Sequence, residues 1–200
     1  MLSVVLATRN PGKVAEISSI LSGLPLQIKS LLELPELPEI VEDQDTLEGN
    51  ALKKARHVYA QLHQPTIADD SGLEVYSLAM KPGVLSARYA GEGVTYGENN
   101  RKLLRALSGV PFPQRKARFR CVAVFKGTEI EWSVEGVCPG SIAEEPRGEG
   151  GFGYDPLFIP DGFDLTFGQL PAETKNRMSH RAHAFFLLKD ILREYVNKIG

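Results

Sequence analysis

Two stretches of this chain gather residue types that could handle a polyanion. Asp69-Asp70-Ser71-Gly72 sets adjacent carboxylates after the short apolar run Thr66-Ile67-Ala68, and Thr8-Arg9-Asn10-Pro11-Gly12-Lys13 follows the apolar run Leu2–Ala7. A strand that runs into such a loop and then a helix is a common phosphate cradle. The first helical N–H groups point outward, and Lys13 and Arg9 add full positive charges beside them. The second glycine and the Lys-Ser/Thr pair of a P-loop are absent. An ordinary strand-to-helix turn with a surface lysine has the same composition. Side chains at the end of a strand reach the rim of a sheet, where open α/β folds bind ligands. Neighbouring strand residues face opposite sides, so one aspartate should turn inward to a structural role and the other toward the ligand. The alternative is an Asp-Ser-Gly turn whose carboxylates only accept from backbone N–H groups.

A triphosphate arrives with Mg²⁺, an ion that takes one or two protein carboxylates together with waters and phosphate oxygens. Glu42 and Asp70 could supply those carboxylates. Glu33, Glu36, Glu39 and Glu42 share a proline-rich stretch, however, and solvation of an exposed loop accounts for all four. Farther on, Gly148-Glu149-Gly150-Gly151-Phe152-Gly153-Tyr154-Asp155-Pro156 has the glycines for close backbone approach to a ligand. Phe152 and Tyr154, around Gly153, could stack on a base, and Asp155 could accept from a sugar or base N–H; packing of both rings into the core is the alternative. Lys175-Asn176-Arg177-Met178-Ser179-His180-Arg181 places donors at the start of the last helix, where His180 and Arg181 could read carbonyl oxygens. His180 and His183 lack a companion ligand at metal-binding spacing, and His57 and His63 read as surface residues of a helix.

These residues need elements to hold them. Val14, Ile17 and Leu21 recur at helical spacing and end near Gly23; a short strand is expected over 26–28. Residues 31–42 should form an exposed loop. Asp45 with Glu48 resembles a capping pair for a helix whose apolar stripe is Ala51, Ala55, Val58 and Leu62, closed by Pro65. A short strand is expected over 66–68, irregular chain around Ser86-Ala87-Arg88-Tyr89, and a helix over about 96–107. A two-residue turn at Gly127-Thr128 would pair Phe125 with Ile130, Ala123 with Trp132 and Cys121 with Val134, leaving Lys116, Arg118 and Arg120 on a solvated face opposite Glu131 and Glu135. A long terminal helix is expected from Ser179.

Length and composition bound the rest. Two hundred residues with 42% hydrophobic content suit one globular domain over 1–200. A net charge of −2, from 23 basic and 25 acidic residues, provides no general field for nucleic acid or an anionic membrane, so neither is an expected partner. No window approaches the roughly 18 apolar residues of a membrane span and no basic leader is visible, so a cytoplasmic location is expected. Cys121 and Cys138 fit no redox or metal motif and read as core residues.

Taken in order, the segments resemble the inosine triphosphate pyrophosphatase family. Its T-x-N-x-x-K matches Thr8, Asn10 and Lys13, and its acid ahead of N-A-x-x-K-A matches Glu42 before Asn50-Ala51 and Lys54-Ala55. A-D-D-S-G-L matches Ala68–Leu73, S-A-R-Y matches Ser86–Tyr89, G-G-F-G-Y-D-P matches Gly150–Pro156, and K-x-x-x-S-H-R-x-x-A matches Lys175, Ser179, His180, Arg181 and Ala184. The resemblance implies an elongated α/β fold, a mixed central sheet flanked by helices, with two lobes and a cleft between them. It further implies a homodimer, Mg²⁺ dependence, and hydrolysis of ITP, dITP and XTP to monophosphate and pyrophosphate. By that resemblance Thr8, Asn10, Lys13 and Lys54 hold the triphosphate, and Arg9, Pro11, Gly12 and Ser71 bind substrate. Phe152, Gly153, Tyr154, Asp155, Lys175, His180 and Arg181 belong to the substrate site. Glu42 and Asp70 hold the metal, and Asp70 takes the proton of the attacking water. A phosphotransferase would need an acceptor site that is not legible, and a non-catalytic nucleotide sensor would need neither Glu42 nor Asp70.

Overall fold

The computed structural model describes residues 1–199, the side chain of Ile199 apart. The apolar opening forms strand β1 (Leu2–Leu6), helix α1 (Pro11–Leu21) and strand β2 (Leu26–Ser30), a βαβ start in which β1 and β2 pair in parallel from Leu2↔Leu26 to Leu6↔Ser30. Helix α2 (Leu47–Leu62) leads into β3 (Thr66–Val75), which also runs parallel to β1 through Val5↔Thr66 and Leu6↔Ile67. Strand β4 (Lys81–Pro82), helix α3 (Tyr96–Ala106), strands β5 (Lys116–Lys126), β6 (Glu131–Ile142) and β7 (Phe158–Pro160), and helices α4 (Ala172–Met178) and α5 (His180–Ile199) follow. The seven strands form one mixed sheet in the order β2-β1-β3-β5-β6-β7, with the short β4 antiparallel to β3. This is the expected α/β class.

The chain divides into two compact units. One comprises Met1–Asp70, Cys121–Gly136 and the chain from Arg181 onward; the other comprises Ser71–Arg120 and Val137–His180. The core of the first is built from Val4, Leu6, Ile17, Ile67, Cys121, Ala123, Phe125, Phe185 and Leu188, so that β1, α1, β3, the β5–β6 hairpin and α5 all bury apolar faces in it. The core of the second gathers Leu73, Leu103, Phe119, Tyr154, Phe158 and Phe167. Both cysteines are buried core residues. No helix among the described residues is long and apolar enough to cross a membrane.

Several local expectations are corrected. The strand expected over 66–68 continues through Asp69-Asp70-Ser71-Gly72 to Val75, so the turn reading of that tetrapeptide is wrong. Lysine and arginine partners neutralise the acids and allow them in a buried strand. Helix α2 is capped by Thr46, whose hydroxyl accepts from Gly49 N at 3.0 Å, instead of by Asp45. The β5–β6 turn closes through Gly127 N–H to the Ile130 carbonyl, which puts Thr128-Glu129 at its tip, one residue later than expected. The shift moves partners by two residues and preserves the buried parity, and the Phe125 ring stacks on Trp132 at 5.6 Å. Arg118 and Arg120 are not simply solvated: both bind the buried Glu74 of β3, at 2.6 and 3.0 Å, while Lys116 binds Asp161. The long terminal helix expected from Ser179 is α5, but Lys175 does not lie at its start: it sits in the separate short helix α4, and Ser179 divides the two.

Candidate active site

Strand β1 ends at Leu6 while its parallel neighbour β3 continues, so the loop 8–13 and the pair Asp69-Asp70 both lie past the carboxyl end of β1, in the first unit. Asn10 caps α1. Its Oδ1 accepts from Gly12 N (2.9 Å) and Lys13 N (3.2 Å), and its own N–H donates to Thr8 Oγ1. Pro11 has no N–H to give. The expectation that this helix terminus offers open amides to an anion is therefore corrected, because the Asn10 side chain occupies them. Cationic side chains are left to supply the positive charge. Arg9 points elsewhere, donating to the carbonyls of Leu37 (2.5 Å) and Leu34 (3.5 Å) and tying loop 8–13 to the acidic loop that carries Glu42.

Asp69 and Asp70, on opposite sides of β3, enter two ion clusters. Asp69 is fully buried and takes Lys13 Nζ at 2.9 Å and Arg181 Nε at 3.4 Å; Arg181, equally buried, also donates to Glu16 at 2.6 Å. Burial pushes the Asp69 carboxyl up, but Lys13, Arg181 and Lys54 together outweigh it and hold the group well below its ordinary value. Asp70 takes Lys54 Nζ at 3.1 Å and Asn50 Nδ2 at 3.2 Å. The same Lys54 ammonium donates to Glu42 at 2.5 Å, so the two carboxylates expected to hold a metal converge on one cation. Burial raises the Asp70 carboxyl above its ordinary value; the Glu42 charge adds to this, and Lys54 only partly offsets it. Glu42 goes the other way, because Lys54 and Lys13 more than offset its burial. For Lys54 itself, burial would lower the pKa, yet the charges of Asp70, Glu42 and Asp69 raise it, so it stays an ammonium.

In this described set four carboxylates (Glu16, Glu42, Asp69, Asp70) meet three cations (Lys13, Lys54, Arg181). The surplus is one negative charge. Two oxygen donors that share an ammonium within a net-negative cluster fit a hard divalent cation that keeps waters and ligand oxygens in its remaining positions. Among the described residues no group of three or more His, Cys, Asp or Glu forms a self-sufficient metal cage.

Asp69→Asn tests the buried pair. The isosteric amide leaves Arg181 and Lys13 without their buried counter-charge, and removing one partner of such a pair costs about 3–5 kcal/mol. The melting temperature is expected to fall by roughly 10 °C for a chain of this size. Because folding lowers the Asp69 pKa, its stabilisation is present above the ordinary value of 3.8 and is lost as pH falls below it toward the folded value. A thermal-unfolding series across that range should show a shallower acid slope for the variant than for the wild type.

The second unit holds Phe152, Tyr154, Asp155, Lys175 and His180, while Arg181 belongs to the first. Gly151 has a positive φ of 73°, and a side chain there would strike the Asp155 carboxylate. That carboxylate accepts from Phe152 N at 2.8 Å and from Lys175 Nζ at 2.5 Å, so it clamps the loop where contact with a sugar was expected. Lys175 also stands 4.7 Å from the centre of the Phe152 ring. Phe152 is half-buried, whereas Tyr154 is a core residue whose hydroxyl donates to the Ser86 carbonyl at 2.9 Å. Stacking of Tyr154 on a base is therefore corrected; its aromatic body fills the core, and burial raises the phenol pKa and keeps the donor protonated. Ser71, half-buried, continues β3 beside Asp70. The His180 ring lies parallel to Phe119 at 4.5 Å, with an interplanar angle of 13°.

Sequence reading missed Glu16 and Phe119, and gave Asn50 no role beyond its place in a motif. Asn50 was open to discovery, since it precedes Lys54 by one helical turn and a polar pair at that spacing beside the Ala51–Ala55–Val58 stripe marks a buried polar face. It also accepts from Gln44 N at 3.0 Å and so joins Asp70 to the acidic loop. Glu16 and Phe119 carry no local signal, because their partners lie 165 and 61 residues away in the chain.

Acids and cations gathered past the carboxyl ends of parallel strands define an α/β protein of the ligand-handling class. Residues 4–191 match the model of the Ham1 family, and the chain belongs to it. It is 50% identical over 192 residues to a dITP/XTP pyrophosphatase of Porphyromonas gingivalis (96% of this chain, 98% of that one) and 48% identical over 193 residues to one of Geobacter sulfurreducens (96% and 97%). A solved HAM1 protein from Coxiella burnetii superimposes with a TM-score of 0.88 at 39% identity, covering 97% of this chain and 100% of that one.

Proposed function

We propose that this protein is a nucleoside-triphosphate pyrophosphatase that hydrolyses the non-standard purine nucleotides ITP, dITP and XTP to the monophosphate and pyrophosphate. Relatives at 48–50% identity bear the name dITP/XTP pyrophosphatase. The observation that supports the reading is the Lys54 ammonium shared by Glu42 and Asp70, an internal ion pair that a phosphate–cation complex would replace. Thr8, Asn10, Lys13 and Lys54 would bind the triphosphate, and Glu42 with Asp70 would hold Mg²⁺. When bound, Mg²⁺ neutralises phosphate charge and orients the polyphosphate.

The chain's own residues do the rest. Lys54 moves its two contacts from carboxylates to phosphate oxygens and stabilises the charge that builds on the leaving pyrophosphate. Asp70, the carboxylate with the raised pKa, accepts a proton from a water as the water oxygen bonds to the α-phosphorus. The bond from the α-phosphorus to its bridging oxygen breaks, and that oxygen leaves with pyrophosphate. Asp69 stays ionised between Lys13 and Arg181 and fixes both.

In the second unit, Phe152 would stack on the purine and His180 would donate to its 6-oxygen. Arg181 is the proposed second donor; its planar head carries five N–H donors, so its ties to Glu16 and Asp69 are compatible with that contact. The two residue sets are continuous in the chain through the Asp70–Ser71 and His180–Arg181 peptides. We further propose that the protein acts as a homodimer in the cytoplasm.

Pyrophosphate release from ITP, XTP, dITP, GTP and ATP, with and without Mg²⁺, tests the function. Rapid release from the first three, slow release from ATP and loss of activity on chelation are expected. Comparable rates on ATP would overturn the specificity, and tight binding without turnover in Mg²⁺ would identify a sensor instead of an enzyme.

A further inference from the structure

Helix α3 enters the second unit with a split character. Leu103 is buried in the core, yet two successive asparagines, Asn99 and Asn100, are also buried. Asparagine is a modest helix former, and its amide must be satisfied when water is excluded. Asn99 meets that demand at both ends: Nδ2 donates to the Ala87 carbonyl at 2.9 Å and Oδ1 accepts from Ala90 N at 2.7 Å. Asn100 is different. Its Nδ2 donates to the Gly153 carbonyl at 3.1 Å, while its Oδ1 is buried with no hydrogen-bond partner.

Leaving a buried acceptor unsatisfied is costly, and a leucine would fill the same place without that cost. What the asparagine adds is its hold on Gly153, the residue that follows Phe152. One turn earlier on the same helix face, the Tyr96 ring contacts the Phe152 ring with centroids 6.3 Å apart. Asp155 fixes the Phe152 N–H from within the loop, and the Lys175 ammonium stands over the ring. Phe152 is thus held by four contacts, of which α3 contributes two: Tyr96 at the ring and Asn100 at the carbonyl of the next residue.

We propose that Asn100 is a positioning residue for purine recognition: by anchoring the Gly153 carbonyl to α3, it fixes the Phe152 ring in the orientation that stacks on a purine base. The inference rests on the proposed function, since it concerns how that reading's base platform is held. It assigns Asn100 to the base end of a nucleotide and to no part of the phosphate chemistry.

Calorimetric binding of IMP and of inorganic pyrophosphate separates the two ends. Asn100→Ala is expected to weaken IMP binding at least tenfold and pyrophosphate binding less than twofold, and to raise the KM for ITP more than it lowers kcat. A role confined to stability would lower the melting temperature without splitting the two ligands. Tyr96→Ala, at a half-exposed position that tolerates truncation, serves as the second variant, with a smaller loss of IMP affinity in the same direction. Unchanged IMP affinity in either variant, or equal losses for IMP and pyrophosphate, overturns the proposal. A wild-type protein that releases no pyrophosphate from ITP defeats the proposed function instead, and that result is read before any variant is made.

Discussion

Replacing Asp70 with asparagine is expected to lower kcat for ITP by roughly 10² to 10⁴, the usual contribution of a positioned general base, while nucleotide binding measured without Mg²⁺ stays within a few-fold of wild type. Asp69 and Asp70 are adjacent in sequence and chemically identical, and their surroundings separate them. Burial acts on both. Around Asp69 it is overcome by Lys13 and Arg181, which hold the carboxyl strongly ionised and make it a poor proton acceptor. Around Asp70 burial prevails, reinforced by the like charge of Glu42, and the pKa rises. A carboxylate of higher pKa is the stronger base, which is why Asp70 and not Asp69 is the proposed acceptor of the proton from the attacking water. The amide of the variant keeps the shape of the carboxylate and cannot accept that proton. Steady-state kinetics with ITP, together with nucleotide binding by the same variant, checks the outcome; wild-type turnover would remove Asp70 from the chemistry.

The parts of this molecule that were legible in the sequence are those written in short-range patterns. The apolar run 2–7, the stripe Ala51–Ala55–Val58 and the alternation Cys121–Ala123–Phe125 each name a buried face, and the structure buries each one. Two kinds of error have physical causes. The first concerns charge: an Asp-Asp-Ser-Gly stretch resembles a turn because isolated carboxylates cannot be buried, but Lys13, Lys54 and Arg181 neutralise them and the strand continues. None of those partners is close in sequence. The second concerns satisfaction of backbone groups. A glycine-flanked helix start looks like an anion cradle until Asn10 is seen to cap Gly12 and Lys13. Tyr154 looks like a stacking ring until its hydroxyl is found on the Ser86 carbonyl. Residue type indicated that these groups seek partners, and only the fold shows which partners they have.

Loss of the His180 side chain should be the largest single blow to base selectivity. Hypoxanthine and xanthine present an acceptor oxygen where adenine presents an amino group. A fixed N–H donor is therefore satisfied by the first two and opposed by the third, a mismatch that can discriminate by as much as about 10⁴. Discrimination of that size requires a donor that cannot turn away. The His180 imidazole is held flat against Phe119, which itself packs on Phe158 at 4.7 Å and on Phe167 at 6.3 Å, so its plane is fixed by the core of its unit. His180→Ala is expected to lower kcat/KM for ITP by 10²-fold or more, on the order of the free energy of one buried acceptor oxygen left without its donor, while kcat/KM for ATP changes little or rises. Phe119→Leu should reproduce part of the effect, because it keeps the imidazole and loosens its support. Measured ratios of ITP to ATP for the wild type and both variants decide the matter: a ratio that survives His180→Ala would assign purine discrimination to another group.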